Sequence, residues 1–303
     1  MKDLITIIVV TYKRGEELKC LLNSIKSQED YLKYIYEIII INNGDEYGYE
    51  WIYDLEDIQC DLKIKYIKSP LNLGVTKGRN LGIEKSASEL LLFIDDDAEF
   101  LNEDALKNLF NYIKNEDQNI GAFAFKVLYF ENREIQKNVF PHKLFKKYFD
   151  KKEFNTSHFI GAAHLLKKSV IDKAGKYSGD FFYGMEEYEM SYKIIEAGFK
   201  IRYTNQVVVL HKESAKGRMK SKLKNRMLWK NKTIISWMFL PNKYFFSTSV
   251  IWSLYYLIKN NFDFIGFTKT WLDIIRSIKT ENRSKLSNQS IEYLKNVEAR
   301  LWY

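Results

Sequence analysis

The sequence is poor in the residues that mark disulfide-rich, collagenous or disordered chains. Its 303 residues include two cysteines, three prolines and 14 glycines. Cys20 and Cys60 are far apart and fit neither a metal-binding nor a redox spacing, so we expect both to be reduced thiols. With 46% hydrophobic residues and no low-complexity tract, the chain can bury a core in one large domain or two small ones.

The sequence also lacks a clear export or membrane-spanning segment. The apolar run at residues 4–10 is short and has neither a basic start nor a small-residue cleavage site. The apolar stretch 245–258 is broken by serine and threonine and falls short of the about 20 residues that span a bilayer. We therefore expect a cytoplasmic protein in which 245–258 forms a packed or interfacial helix.

Positive charge is distributed unevenly along the chain. The net charge is +8, and the segment 212–232 alone contains nine Lys or Arg residues and one Glu. Such a segment favours an anionic partner such as phosphate, an acidic lipid surface or nucleic acid, although a solvated helix face is the alternative. Because Trp-rich and Tyr-rich helical segments follow, we expect contact with the inner face of the cell membrane, or else a homodimer interface.

Apolar β-rich runs alternate with amphipathic segments in the first half of the chain. The patterns predict strands at 5–12, 37–41, 63–67 and 90–94 and helices at 18–25 and 79–85. This order is typical of an α/β fold with a mostly parallel sheet and helices on both faces. The second half predicts strands at 121–130 and 202–210 and helices at 168–174 and 187–197, while 137–155 has no clear pattern.

Polar and acidic residues follow the predicted strands at the point where each strand ends. These are residues 11–14, 42–44, 72–74 and 95–97. Open α/β sheets bind their ligands at the carboxyl ends of the strands, so we expect a site there. Three consecutive aspartates repel one another unless a cation holds them, and Mg²⁺ and Mn²⁺ prefer carboxylate oxygens. A helix N-cap is the alternative, and it explains one aspartate rather than three.

Two further groups extend this metal-site hypothesis. Glu186 and Glu187 form a second acidic cluster, and His211 follows the last predicted strand. Group transfer from a phosphate-activated donor needs a base for the attacking hydroxyl and neutralisation of the departing diphosphate. Glu187 is a candidate for the first task, and Asp95 and Asp97 with a metal are candidates for the second. A solvated helix start is the alternative reading of the two glutamates.

Seven blocks of sequence, in this order, resemble the family 2 glycosyltransferases, which have the GT-A fold. They cover about residues 4–217 and read TIIVVTYKR (6–14), IIIINNG (38–44), NLGVTKGRNLGI (72–83), LLFIDDDAEF (91–100), GAAHLLKKS (161–169), FFYGMEEYEMSYKIIEAGFKI (181–201) and VVVLHKESAKG (207–217). The resemblance implies a catalytic domain at 1–217, with a nucleotide-binding half at 1–100 and an acceptor half at 101–217. A basic, aromatic helical region follows at 218–303.

The resemblance also implies an activity and a set of site residues. It implies inverting, Mn²⁺- or Mg²⁺-dependent transfer of a hexose or deoxyhexose in cell-surface glycan synthesis, as in rhamnosyltransferases. The donor would be a UDP-, dTDP- or GDP-linked sugar, and the acceptor a hydroxyl of a glycan or lipid-linked glycan. The residues implied are Thr11, Tyr12, Arg14, Asn42, Arg79, Asp95 and Asp96 for the nucleotide, Asp97 and His211 for the metal, Glu187 as base, and Gly161, Ala162 and Glu186 on the acceptor side.

Two residues depart from the family pattern. Asn42 stands where an aspartate usually reads the base, and Glu187 stands where the base is usually an aspartate. The first departure leaves the nucleotide open, and the second lets the base reach one methylene further. Neither removes the chemistry.

Other functions fit the sequence less well. A sugar-phosphate nucleotidylyltransferase would have a Gly-rich loop after its first strand, a dehalogenase-type phosphatase would have its Asp-x-Asp on that strand, and no P-loop pattern is present. An RNA-binding or peripheral membrane protein without transferase activity would explain the basic segment but not the acidic clusters. We therefore expect no nucleic-acid partner.

Overall fold

The computed structural model describes residues 4–44, 48–53, 62–214, 216, 219–280 and 282–302. Cys60 and the expected domain boundary at Gly217 lie outside this part of the chain. The strands are β1 Ile5–Thr11, β2 Ile35–Asn42, β3 Lys63–Lys68, β4 Leu90–Ile94, β5 Ala98–Phe100, β6 Ile120–Tyr129, β7 Glu153–Thr156, β8 Ala163–Lys167 and β9 Lys200–His211. The helices are α1 Gly15–Lys26, α2 Gly74–Lys85, α3 Ala105–Asn115, α4 Phe145–Tyr148, α5 Lys168–Ala174, α6 Glu186–Glu196, α7 Ser221–Phe239, α8 Asn242–Lys259, α9 Phe264–Thr280 and α10 Asn288–Asn296, with a 3₁₀ turn at Tyr31–Lys33.

The strands form one sheet in the order β3-β2-β1-β4-β8-β6-β9-β5, with β7 also paired to β9. The first four strands are parallel, as the alternating strands and helices predict. The second half is mixed, because β8 runs antiparallel to both β4 and β6 while β6 and β9 are parallel. A parallel return needs a crossover, usually a helix. Between β6 and β8 the described chain has strand β7, and its one helix there is the single-turn α4.

The sheet is buried on both faces, which explains the continuous apolar runs of its inner strands. Alternate residues of β2 enter different cores: Ile38 and Ile40 pack on the face covered by α1 and α3. Ile39 and Ile41 pack on the opposite face, with α2, α6 and part of α7. The second core therefore contains residues from both sides of the predicted boundary at 217.

Helix α2 packs unusually close to β1 because two of its residues have no side chain. A Cβ at Gly82 would lie 2.4 Å from Cγ2 of Ile8, and one at Gly78 would lie 2.8 Å from Cγ1 of Val10. Both distances are shorter than van der Waals contact, so neither position accepts a larger residue without movement. This close approach carries Arg79 to the carboxyl ends of the parallel strands.

The C-terminal helices pack around Trp229 of α7, which is fully buried. Its ring stacks on Tyr256 of α8 and Phe267 of α9, with centroids 5.1 and 5.3 Å away. The outer faces of α8 and α9, in contrast, expose a row of large apolar side chains, among them Phe246, Val250, Leu254, Ile258, Phe264 and Ile265. Within the described residues, none of the helices combines the length and hydrophobicity needed to cross a bilayer.

Candidate active site

A cavity of about 1070 Å³ lies at the carboxyl ends of β1 and β4. It brings together, on one wall or another, twelve of the thirteen site residues expected from the sequence: Thr11, Tyr12, Arg14, Arg79, Asp95, Asp96, Asp97, Gly161, Ala162, Glu186, Glu187 and His211. Thr11 and His211, which are 200 positions apart in the sequence, thus line one cavity. The rule that ligands bind at the strand ends of open sheets accounts for this position.

Asn42 is the expected residue that the structure does not bring to the cavity wall. It is fully buried at the end of β2, and its Nδ2 donates a hydrogen bond to the Tyr66 hydroxyl at 2.7 Å. The next residue, Asn43, lines the cavity instead, and its Nδ2 donates to the Gly74 carbonyl at 3.0 Å. Successive side chains in extended chain point to opposite sides, which separates the two asparagines.

Asp95, Asp97 and His211 form a group that can hold a metal ion. One ligand atom of each lies within 4.8 Å of the others, and His211 Nε2 lies 3.2 Å from Asp97 Oδ1. The sheet register brings them together, because β5 pairs with β9 so that Ala98 is opposite His211. Two carboxylates and an imidazole form a donor set that suits Mn²⁺ or Mg²⁺.

Gln136 orients the imidazole of this group. Its Oε1 lies 3.1 Å from His211 Nδ1, and its Nε2 donates to the His211 carbonyl at 3.4 Å. The amide oxygen can only accept, so Nδ1 carries a proton whether the imidazole is charged or neutral. Nε2 donates to Asp97 when the imidazole is charged, and its lone pair can bind a metal once that proton is lost. Sequence reasoning missed Gln136. It lies 75 residues from His211, beside a segment without a clear pattern.

The three aspartates have different environments. Asp96 is buried and accepts hydrogen bonds from the Thr11 hydroxyl at 2.7 Å and from Arg14 Nη1 at 2.8 Å. Burial raises its pKa to about 7 against the opposing effect of Arg14. Burial would also raise the pKa of Asp97, but the hydrogen bond and charge of His211, with Arg14, lower it to about 2. Asp96 therefore ties β4 to β1, while Asp97 keeps its charge.

Arg14 connects these aspartates to the chain that follows β9. Besides Asp96 it contacts Asp97, with Nη1 3.2 Å from Oδ2. Its Nε donates to the Lys216 carbonyl at 2.7 Å, and its Nη2 donates to the Ser214 carbonyl at 3.2 Å. The Ser214 amide in turn donates to Asp97 Oδ2 at 2.8 Å. The start of the basic segment thus lies directly against the acidic cluster.

Arg79 joins the acidic cluster to the second half of the cavity. Its buried guanidinium lies 3.0 Å from Glu186 Oε1 and 3.5 Å from Asp95 Oδ1. It also donates to the Gly161 carbonyl at 2.9 Å. One cation thus fixes the distance between Asp95, at the end of β4, and Glu186, at the start of α6.

Glu187 lines the cavity and, among the described residues, is not held in an ion pair as Glu186 is. It is half-buried, its Oε1 lies beside Gly161, and its Oε2 accepts no hydrogen bond from the described residues. Burial and the neighbouring charge of Glu186 raise its pKa. Glu186 instead pairs with Arg79, and Glu189 pairs with Lys193 and accepts from the Ser178 amide.

This geometry can be compared with known proteins. The model of the family described as glycosyl transferase family 2 matches residues 6–175. The chain belongs to glycosyl transferase family 2. The enzyme class expected from the sequence is therefore confirmed, and the protein is a glycosyltransferase.

This glycosyltransferase has a named relative among known transferases, and its fold has counterparts among solved structures. It is 29% identical over 173 residues to the poly(ribitol-phosphate) β-N-acetylglucosaminyltransferase TarP of Staphylococcus aureus, a match covering 56% of this chain and 50% of TarP. The structure of GalNAc-T7 with UDP, GalNAc and Mn²⁺ superposes with a TM-score of 0.65 at 17% identity, over 92% of this chain and 57% of the other. The mannosyltransferase PcManGT of Pyrobaculum calidifontis, with GDP-Man and Mn²⁺, gives a TM-score of 0.59 at 16% identity, over 96% and 78%. These likenesses confirm the expected α/β fold of GT-A type.

Proposed function

We propose that this glycosyltransferase moves a sugar, with inversion, from a nucleoside-diphosphate sugar to a hydroxyl of a cell-surface glycan or its lipid-linked precursor. The observation that carries the proposal is the division of one cavity. Asp95, Asp97 and His211 lie on one side, Glu187 lies on the other, and Arg79 holds the two sides in register. The ligands of GalNAc-T7 and PcManGT, UDP and GDP-Man with Mn²⁺, support the donor class.

The residues at the strand ends fit a divalent cation. Asp97 and His211 would hold Mn²⁺ or Mg²⁺, and Asp95 would hold it directly or through water. Such a cation would neutralise charge on the diphosphate as it departs. The low pKa of Asp97 supports this role, because that carboxylate is ionised throughout the neutral range.

Glu187 would act as the base. Its free carboxylate oxygen accepts the proton of the acceptor hydroxyl. At the same time, the oxygen of that hydroxyl forms a bond to the anomeric carbon. The bond from the anomeric carbon to the diphosphate oxygen breaks at the same time, and its electron pair leaves with the diphosphate. Attack opposite the leaving group inverts the anomeric centre. The raised pKa of Glu187 makes it a stronger base than an exposed carboxylate.

The walls near β1 and β2 would bind the nucleotide. Thr11, Tyr12 and Arg14 line this side with Asn43. Asn43 Oδ1 has no hydrogen-bond partner among the described residues and would accept one from the base. Asn42 would act from behind, by fixing Tyr66. UDP-, dTDP- and GDP-sugars are the candidates, and a binding panel distinguishes them.

The exposed apolar faces of α8 and α9 would place the enzyme on the cytoplasmic surface of the membrane. Phe246, Leu254 and Ile258 are 49–69% exposed, and Lys243 and Lys259 flank them. Apolar side chains rimmed by lysines are typical of peripheral attachment to anionic lipid. A homodimer through the same faces is the second candidate.

Two substitutions test the division of labour in the cavity. Asp97→Ala should abolish Mn²⁺-dependent binding of every nucleoside-diphosphate sugar in the panel. Glu187→Gln should bind the donor within about twofold of the unmodified protein and lose transfer by about 10² to 10⁴. Glu189→Gln is the matched control, since that side chain faces Lys193 rather than the cavity. Unchanged donor binding by Asp97→Ala, or transfer that survives Glu187→Gln, would refute the assignment.

A further inference from the structure

Four basic side chains converge at the acceptor end of the cavity. His142, His158, Lys232 and Arg300 come from four separate segments, and all of them line the same space as Glu187. We call this group the basic pocket. None of the four belongs to the blocks that carry the family resemblance.

Lys232 is the most unusual member of the basic pocket. It lies on α7 with 4% of its surface exposed, and its Nζ is 3.5 Å from the centroid of the Tyr188 ring. His158 stacks on the same ring, with centroids 4.2 Å apart and planes 18° from parallel. Because Tyr188 directly follows Glu187, the basic pocket lies next to the candidate base.

The members of the basic pocket disfavour one another's protonation. Burial, and then the charges of Lys232, His142 and Arg300, lower the pKa of His158 to about 3. Burial also lowers the pKa of Lys232, and Arg300 adds to the effect, while Tyr188 and Glu187 oppose it. Placing several basic side chains together in a partly enclosed cavity costs free energy when they are charged, unless an anion binds between them.

The acids beside the basic pocket are already engaged in other contacts. Glu298 lies 3.0 Å from Lys147 Nζ and accepts a hydrogen bond from the Tyr148 hydroxyl at 2.8 Å. His142 Nε2 is further from it, at 4.0 Å. Glu186 pairs with Arg79. Glu187 is the remaining acid, and in the proposed function it is the base for the acceptor hydroxyl.

We propose that the basic pocket binds a phosphate group of the acceptor, beside the hydroxyl that Glu187 deprotonates. Lys232 and Arg300 supply the charge, and neutral His142 and His158 can donate hydrogen bonds to phosphate oxygens. This inference rests on the proposed function and narrows its acceptor to a phosphate ester. Ile251, Trp252 and Tyr255 of α8 line the same cavity, so the ester can be carried by a lipid or by a soluble polyol.

Titrations of the metal-loaded enzyme test this proposal. The protein is first saturated with Mn²⁺ and with the nucleoside diphosphate it binds, which fills the donor's diphosphate site. Glycerol 3-phosphate and farnesyl phosphate are then titrated by calorimetry, with glycerol and farnesol as uncharged counterparts. We expect at least one phosphate ester to bind about tenfold or more tightly than its counterpart. Preference for farnesyl phosphate alone identifies a lipid source, and equal preference identifies the phosphate as the shared feature.

Variants of the basic pocket complete the test. Lys232→Met and, at an exposed position, Arg300→Gln should each weaken phosphate-ester binding about tenfold. Lys230→Met is the control, because Lys230 lines a different cavity two residues along the same helix. Equal binding of esters and alcohols, or unchanged binding by both variants, would overturn the proposal. Failure of Mn²⁺ and nucleotide to bind in the first step would instead refute the proposed function.

Discussion

The metal-site hypothesis can be tested through Gln136, which does not itself belong to the proposed ligand set. Its side chain is buried, and Oε1 accepts from Nδ1 of His211 at 3.1 Å. Gln136→Leu has similar volume but offers no acceptor. The proton of the neutral imidazole can then move to Nε2, which donates a hydrogen bond to Asp97 Oδ1 at 3.2 Å. Since Nε2 is the nitrogen available to a metal, the variant favours the tautomer that cannot bind one.

The size of the effect follows from the contact that is lost. A neutral hydrogen bond contributes about 0.5–1.5 kcal/mol, and removing a group that orients a metal ligand costs about 10–100-fold in affinity. We therefore expect Mn²⁺ to bind Gln136→Leu about tenfold more weakly, which equals about 1.4 kcal/mol. Gln136→Glu keeps an acceptor at the same place and adds negative charge, so its Mn²⁺ affinity should match or exceed that of the unmodified protein.

The assay is a calorimetric titration of Mn²⁺ into protein saturated with nucleoside diphosphate at one pH. Gln206→Leu is the matched control, because Gln206 lies exposed on the same strand as His211. Thermal unfolding of each variant checks that the fold is retained. If Gln136→Leu binds Mn²⁺ as the unmodified protein does, or if Gln206→Leu loses as much affinity, then Gln136 does not orient a metal ligand.

Two further predictions concern packing and the membrane. Gly82→Ala should lower the free energy of unfolding by about 1–3 kcal/mol in urea titrations, because its Cβ would lie 2.4 Å from Ile8 Cγ2; an unchanged midpoint would show that α2 can move away from β1. Phe246→Ser with Ile258→Ser should reduce co-sedimentation with vesicles that contain phosphatidylglycerol, whereas Leu71→Ser, which is exposed elsewhere, should not. Equal co-sedimentation of the double variant and the unmodified protein would favour the homodimer over lipid binding, and analytical ultracentrifugation would detect that dimer.

The sequence predicted the first half of the fold well because each feature there is local. The strands β1, β2 and β4 are buried on both faces, so they read as unbroken apolar runs. Their polar ends fall at one edge by topology alone, which is enough to place Arg14 and the aspartates together, whereas Arg79 is placed there only by the family resemblance. The second half depends on strand direction. The connection that precedes β8 decides whether β8 runs parallel or antiparallel to β4. The pattern of apolar residues within a strand does not reveal its direction.

Buried polar residues escaped prediction for a related reason. Gln136 and His158 are polar residues in segments without clear periodicity, and such residues are usually solvated. Only their long-range partners, His211 and Tyr188, show that Gln136 is buried and His158 half-buried at the cavity. Asn42 shows the opposite case, since its place in the motif predicts a residue on the cavity wall, whereas its side chain lies behind that wall against Tyr66.

The basic segment 212–232 illustrates why charge counted along a chain does not locate a partner. Its residues diverge once the extended chain becomes helix α7, where successive side chains turn by about 100°. Lys222 lies 3.0 Å from Asp263, and Arg226 lies 3.5 Å from Asp273, so these two charges hold α7 to α9 and the turn before it. Lys232 turns inward to Tyr188 and the cavity. Some basic side chains of this segment therefore hold helices together, while others face the cavity. The direction in which each side chain leaves helix α7 decides which of the two it does.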